Sequence, residues 1–280
     1  TRLQGKYFKP YKGKAGYGYD EIGFWYPVLA EDNAISGFFL MLRILFPTRI
    51  NSSLVVFSIH LRNLSIMIHR LFTEPLSLRN SVVLDLSATN LELNPSIYGN
   101  VSTFQDYIEG KLGGKMGFGG YLEHRVIYES YENFATASTD FRNIHLGMDF
   151  WTKAGTPIFA PLKGEVHSFQ ANQGAGNYGP TIILYHPAEK ISSLYGHVSM
   201  ADLVPLEIGL PIGAGQLLCH LGKPTENGGW PPHLHFQLIR DMQGFHGDYP
   251  GVCSQRDLLF YANNCPDPAN FYPLFNHEFR

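Results

Sequence analysis

The 280-residue chain is 44% hydrophobic and 16% charged, with a formal net charge of -3, which is the composition of a globular protein rather than a disordered or fibrous one. That charge balance gives no footing for nucleic-acid binding, and no run reaches the roughly 18 to 20 uninterrupted apolar residues of a membrane-spanning helix. Three cysteines without a C-x-x-C pair indicate neither a zinc ribbon nor a disulfide-dense scaffold.

Residues 1–33 are rich in Gly and Tyr and carry no helix or strand period. The basic Arg2, Lys6, Lys9, Lys12 and Lys14 are followed by Tyr, Gly and acidic residues, not by the apolar stretch of a secretory signal. The chain starts at Thr1 rather than an initiator Met, so a leader removed beforehand and the compartment both stay open. Residues 35–72 are apolar and β-branched, compatible with strands or one helix; Pro47, Asn51 to Ser53 and Pro75 lean towards strands. Residues 81–86 read as a strand, 90–100 as a polar loop and 103–112 as a short helix closed by Gly113 and Gly114. After a turn at 117–120, residues 121–128 resume a strand pattern and 131–143 read as loop. Strand, turn, strand follows over 154–166, then strands at 181–186, 192–197 and 216–221, each bounded by Gly or Pro. Short strands between turn signals predict an all-β sandwich or barrel. The expected domains are 1–50, a segment of unknown role; 51–120, a β-rich flank; and 121–275, the principal domain. Cys219, Cys253 and Cys265 read as reduced thiols, with a Cys253–Cys265 bridge as the alternative.

The chemistry concentrates in two short stretches. Residues 230–237 hold His233 and His235 one residue apart in an apolar run, and only extended chain brings two such imidazoles to one face. His233, His235, Gln237 and Ile239 then face one way and Leu234, Phe236 and Leu238 the other, the alternation of a half-buried strand. His145-Leu146-Gly147-Met148-Asp149-Phe150 repeats the device, with His145, Gly147 and Asp149 on one face. Two imidazole nitrogens and one carboxylate oxygen suit Zn²⁺ with a fourth position left for water, which is the pattern of a catalytic site.

Five motifs stand in order: H-x-G-x-D at 145–149, A-G-T-P-x-x-A-P-x-x-G-x-V at 154–166, L-Y-G-H at 194–197, G-x-x-x-x-x-G-Q at 209–216 and H-L-H-F at 233–236. Together they resemble the lysostaphin-type, or LytM-like, zinc metallopeptidases, which are typically peptidoglycan endopeptidases. The likeness covers about residues 121–251. It implies an antiparallel β-sandwich, the duplicated hybrid motif, with an amino-terminal flank of mixed structure. It implies Zn²⁺ held by His145, Asp149 and His235, and catalytic, non-ligand roles for His197 and His233. It also implies peptidoglycan stem or cross-bridge peptides, or a related peptide, as substrate, and a cell-envelope or secreted location. The chain departs from the family pattern in the loop 222–232 and in Gln237, where the family commonly has Glu; both lie outside the ligand set, and the loop, which would border the cleft, bears on which bond is cut.

Two other readings compete. A catalytically silent LytM-like domain that binds wall peptide or regulates another hydrolase would have lost ligands, and all are present. A phosphocarrier of the glucose-permease enzyme IIA kind would need no carboxylate at Asp149. His60, His69, His124, His167, His220, His246 and His277 read as structural or surface histidines; His186, at the end of the strand 181–185, reads as structural with support of the site from behind as the alternative. Trp151, Tyr178, Tyr195 and Trp230 read as core or rim aromatics, Trp230 being the best placed to touch a ligand.

Overall fold

The structure is a computed structural model of the chain and describes residues 69–131, 134–135 and 141–271, together with the backbone of two short strands, β1 (Gly16–Tyr19) and β2 (Trp25–Val28). These two pair as an antiparallel hairpin within one compact unit, Thr1–Ser65; a second compact unit runs from Ile66 to Arg280. The ambiguous stretch 35–72 lies outside the described residues up to position 68.

The second unit is built on an eight-stranded sheet. Its order is β11 (Pro211–Ile212), β8 (Gly164–Asn172), β9 (Gly179–His186), β10 (Ile191–Gly196), β13 (His233–Ile239), β6 (Met148–Trp151), β4 (Met116–Gly119) and β3 (Ser81–Val83). All neighbours are antiparallel except β3 and β4, which run parallel. Two ribbons complete the β structure: β7 (Pro157–Phe159) with β12 (Leu217–His220), and β5 (Ile144–His145) with β14 (Val252–Cys253). The all-β core expected from the turn-punctuated sequence is present, and strands from before residue 121 extend its sheet.

Both faces of the sheet are covered, which makes the core a sandwich. On one face Phe150, Leu184, Leu234, Phe236 and Leu238 pack with Ile158, Leu218 and Cys219 of the β7–β12 ribbon. On the other, Ile183, Leu194 and Ile239 meet Leu146, Tyr249, Cys253 and Cys265. Successive residues of a strand point to opposite faces, so covering both leaves β13 buried at all seven positions. The half-buried strand expected at 233–239 is thus a fully buried one: its polar face is roofed by the returning segment 249–265 instead of facing water. All three cysteines are buried and free.

The helix Val101–Leu112 ends at Gly113 as its sequence predicted, and Asn100 caps it by accepting from the Ser102 N–H, a contact typically worth about 1 kcal/mol. Phe104, Ile108 and Leu112, at four-residue spacing, lay its apolar stripe into a cluster with Trp151, Trp230 and Ile127. The loop expected at 90–100 contains a further short helix, Pro95–Tyr98, started by Asn94 as cap and Pro95 in its first turn. Residues 121–128 do not form the expected strand. A turn there leads into a 3₁₀ helix, Val126–Ser130, with one isolated bridge between His124 and Ile144.

Candidate metal centre and active site

Antiparallel register gathers the polar groups. His235 on β13 is paired with Asp149 on β6, and His233 with Trp151. Directly opposed residues project from the same face, so His235 and Asp149 meet. His145 reaches them differently from what the alternating pattern implied. The H-x-G-x-D stretch is not one strand: β5 ends at His145, the chain breaks at Leu146 and Gly147, and β6 begins at Met148. Leu146 joins the cluster on one sheet face while Met148 and Phe150 join the other. The break folds His145 back over Asp149, bringing its Nε2 to 3.2 Å from Asp149 Oδ1. Gly147 is required at this bend, since a Cβ there would lie 2.7 Å from the His235 ring and 2.9 Å from the Phe236 carbonyl oxygen.

Ligand-type atoms of His145, Asp149 and His235 all lie within 4.8 Å of one another, and all three residues are buried. His145 Nδ1 is 2.8 Å from the Gly120 carbonyl, which can only accept, so Nδ1 carries the proton and Nε2 is bare. His235 Nε2 is 2.8 Å from Gln237 Oε1. The Gln237 amide donates to the Pro250 carbonyl at 3.1 Å and to Cys265 Sγ at 3.3 Å, so its oxygen faces His235 and receives the Nε2 proton. His235 Nδ1 is therefore bare as well, and it sits 2.8 Å from His145 Nε2 and 3.3 Å from Asp149 Oδ1. Asp149 Oδ1 is buried without a hydrogen-bond partner. Three lone pairs converging without a proton among them repel one another, and a cation between them relieves that repulsion; the donor set fits a zinc-like ion.

The other two histidines of the sequence prediction lie beside this group. His233 Nδ1 donates to the Pro231 carbonyl at 2.8 Å, and its ring stacks on Trp151 with centroids 4.0 Å apart. His197 Nδ1 donates to the Asn227 carbonyl at 2.9 Å, and its ring centroid is 4.2 Å from that of His233. His197 follows β10 at φ 62°, a left-handed conformation that costs a non-glycine residue about 1–2 kcal/mol. Burial pushes His145 and His233 each down to about 4, and burial with the neighbouring His233 and His235 takes His197 well below the usual imidazole range. Burial alone would raise Asp149, but the His145 ring and the Arg125 guanidinium outweigh it and hold the carboxyl well below its usual range.

The four histidines line one cleft of about 350 Å³, with Tyr128, Phe134, Trp230, Asp248 and Tyr249 also in its wall, and Asp149 lies against His145 and His235. Trp230 lines it as expected; its backbone N–H and C=O are both held by the Asn227 side chain, which shapes the loop 222–232. His186 is not part of the site and bonds instead to the Lys163 carbonyl and Ser193 Oγ. Three residues were missed in the sequence reading. Arg125 is buried with Nη1 2.7 Å from Asp149 Oδ2. Tyr178, read as a core or rim aromatic, places its hydroxyl oxygen 3.3 Å from His235 Nε2. Gln237, noted as a departure from a family pattern, turns out to hold the His235 proton. An arginine in a stretch that reads as an ordinary strand and a tyrosine after a glycine-rich loop carry no spacing signal; Gln237 does, lying two residues beyond His235 on the same strand face.

Residues 143–246 match the sequence model of the family described as Peptidase family M23. Similar solved structures include the catalytic domain of the antimicrobial peptidase lysostaphin from Staphylococcus simulans, at 23% identity and TM-score 0.30, covering 46% of this chain and 85% of that one. A putative M23 peptidase from Pseudomonas aeruginosa is 24% identical at TM-score 0.32, covering 47% of this chain and 45% of that one. A zinc-containing peptidase from Vibrio cholerae is 20% identical at TM-score 0.29, covering 39% and 35%. The chain thus spans most of an isolated catalytic domain but less than half of these two longer proteins. Among curated proteins no sequence matches. The family match falls on the segment that carries all five ordered motifs and all five site residues, His145, Asp149, His197, His233 and His235, so that residues 143–246 are similar to the Peptidase family M23 where the site is built.

Proposed function

We propose that the chain is a zinc-dependent endopeptidase that cleaves peptide bonds in peptidoglycan stem or cross-bridge peptides, with His145 Nε2, Asp149 Oδ1 and His235 Nδ1 as ligands. The observation that carries this reading is the convergence of His145 Nε2, Asp149 Oδ1 and His235 Nδ1 in one buried group, with Oδ1 accepting no hydrogen bond and the other nitrogen of each ring engaged on a carbonyl-type oxygen. Zn²⁺ bound there supplies Lewis acidity, which polarises a scissile carbonyl and brings the pKa of water from 15.7 towards about 7. The chain's own groups do the rest. His197 and His233 are held neutral by burial, with Nδ1–H fixed on backbone carbonyls and Nε2 bare. Each can accept a proton from an attacking water, and once protonated can donate a hydrogen bond to the developing oxyanion. Trp151 under His233 and the Asn227 carbonyl behind His197 fix the planes of the two rings. Tyr128, Phe134 and Trp230 give the cleft an aromatic lining.

The test measures metal and activity together. Elemental analysis after mild dialysis should find about one zinc per chain in the wild type and little in Asp149→Ala or His235→Ala. Purified peptidoglycan digested with the protein should release new peptide ends, and those ends identify the bond. A wild-type protein without metal, or variants that keep it, would reject the ligand assignment; metal without cleavage would leave a binding domain.

A further inference from the structure

Asp149 has two oxygens in different surroundings. Oδ1 faces His145 Nε2 and His235 Nδ1 and accepts no hydrogen bond, whereas Oδ2 is 2.7 Å from Arg125 Nη1. Arg125 is itself clamped. Its Nε is 2.6 Å from Glu123 Oε2, its Nη1 also reaches the Tyr128 hydroxyl at 3.1 Å, and only 2% of its surface is exposed. Glu123 is anchored in turn, since its Oε1 accepts the Leu86 N–H at 3.1 Å. Space for the guanidinium comes from Gly120, at φ 99°, where a Cβ would fall 2.0 Å from Arg125 Nη2. The carbonyl of the same Gly120 takes the His145 Nδ1 proton. One turn, residues 120–125, therefore grips the outer atoms of two of the three ligand side chains.

A carboxylate can hold a metal through one oxygen or through both, and a planar guanidinium engaged on one oxygen removes the second choice. We propose that Arg125 is a positioning residue: by occupying Oδ2 it confines Asp149 to one-oxygen ligation and keeps the remaining coordination space on the cleft side for water and substrate. This rests on the metal-centre reading above. The plainer role for a buried arginine is to neutralise a buried carboxylate, which would affect folding and leave the coordination alone. Lysine separates the two, because it keeps the positive charge but cannot fork between Glu123 and Asp149.

The experiment uses the full chain loaded with Co²⁺, whose visible absorption weakens as coordination number rises. Wild type, Arg125→Lys and Glu123→Gln are compared for the Co²⁺ spectrum, for Zn²⁺ affinity by chelator competition, and for folding by circular dichroism. Arg125→Lys should show a weaker visible band and a Zn²⁺ affinity lower by on the order of 10- to 100-fold, the usual consequence of losing the group that orients a ligand. Glu123→Gln leaves Arg125 in place but loosens its anchor, so it should move both readouts the same way by less, and it decides the matter if Arg125→Lys does not fold. A folded variant with wild-type spectrum and affinity overturns the proposal and leaves the metal centre standing. Wild type that takes up no Co²⁺ or Zn²⁺ removes the metal centre, and the role of Arg125 with it.

Discussion

His197 and His233 differ from His145 and His235 in standing outside the group of converging ligand-type atoms: His233 Nε2 is 4.0 Å from Asp149 Oδ1, against 3.2 Å for His145 Nε2 and 3.3 Å for His235 Nδ1. Replacing His197 or His233 by Ala should therefore keep the metal and lower the cleavage rate by on the order of 10² to 10⁴. The double variant should lose less than the product of the two, as groups serving one transition state do. Zinc content and rate measured side by side check this; loss of zinc in His233→Ala would move the ligand role to that residue. The same burial sets an acid limit. His145 and His233 titrate near 4 in the fold against 6.5 when free, so between those values the unfolded chain binds more protons. Stability of the metal-free protein is then full above about pH 6.5 and falls, by a few kcal/mol in order of magnitude, as pH drops towards 4. Urea denaturation of chelator-treated protein at pH 7.5, 5.5 and 4.5 should show the midpoint falling in that order. At this scale the ordered motifs named the five histidine and aspartate positions, and the structure gathers all five. Arg125 and Tyr178 were not legible because their partners are distant in sequence and joined only by the turn before β5 and the loop before β9.

Elements were legible where local period and burial agree. Strands β9, β10 and β13 and the helix Val101–Leu112 fall where Gly and Pro punctuation and apolar spacing put them. Two readings failed for tertiary reasons. Residues 121–128 alternate like a strand, but Gly119 and Gly120 turn the chain inward there, and Arg125 goes to Asp149 rather than to solvent. The stretch 145–149 alternates too, yet it must bend so that His145 and Asp149 point at one place, and only Gly147 clears the His235 ring. Gly147→Ala should accordingly displace that ring: the Phe236 carbonyl cannot yield, so about 1–3 kcal/mol of overpacking is expected, with weakened zinc retention. Thermal melting and metal analysis of this one variant test both, and a fully loaded, unshifted protein would contradict the bend as described.

For the whole molecule, the contents of the core decide where the chain can be cut. Leu71, Phe72 and Leu76 lie in the same cluster as Phe150 and Phe236, and Phe118 on β4 joins them. The helix Val101–Leu112 covers Trp151, on which His233 rests. We expect removal of residues 1–65 to leave a folded, metal-binding protein, and removal of residues 1–120 to leave an insoluble one. Expression of the two truncations, with zinc content for the soluble one, checks this; a soluble, zinc-loaded 121–280 fragment would show that the flank is dispensable.

His145, at the end of β5, and His235 on β13 stand 90 positions apart, and β6, which follows His145 and carries Asp149, becomes the neighbour of β13 only after β7 to β12 have been laid down between them in sequence. Such distant pairing is slow, because a long loop must close before any contact repays its entropy. During synthesis, at roughly 5–20 residues per second, the metal group stays incomplete until β13 has emerged, several seconds after His145. A nascent chain thus holds His145 and Asp149 without their partner for the whole of that interval. Assembly of the three-residue group is consequently a late event, set by the order of the chain's own strands.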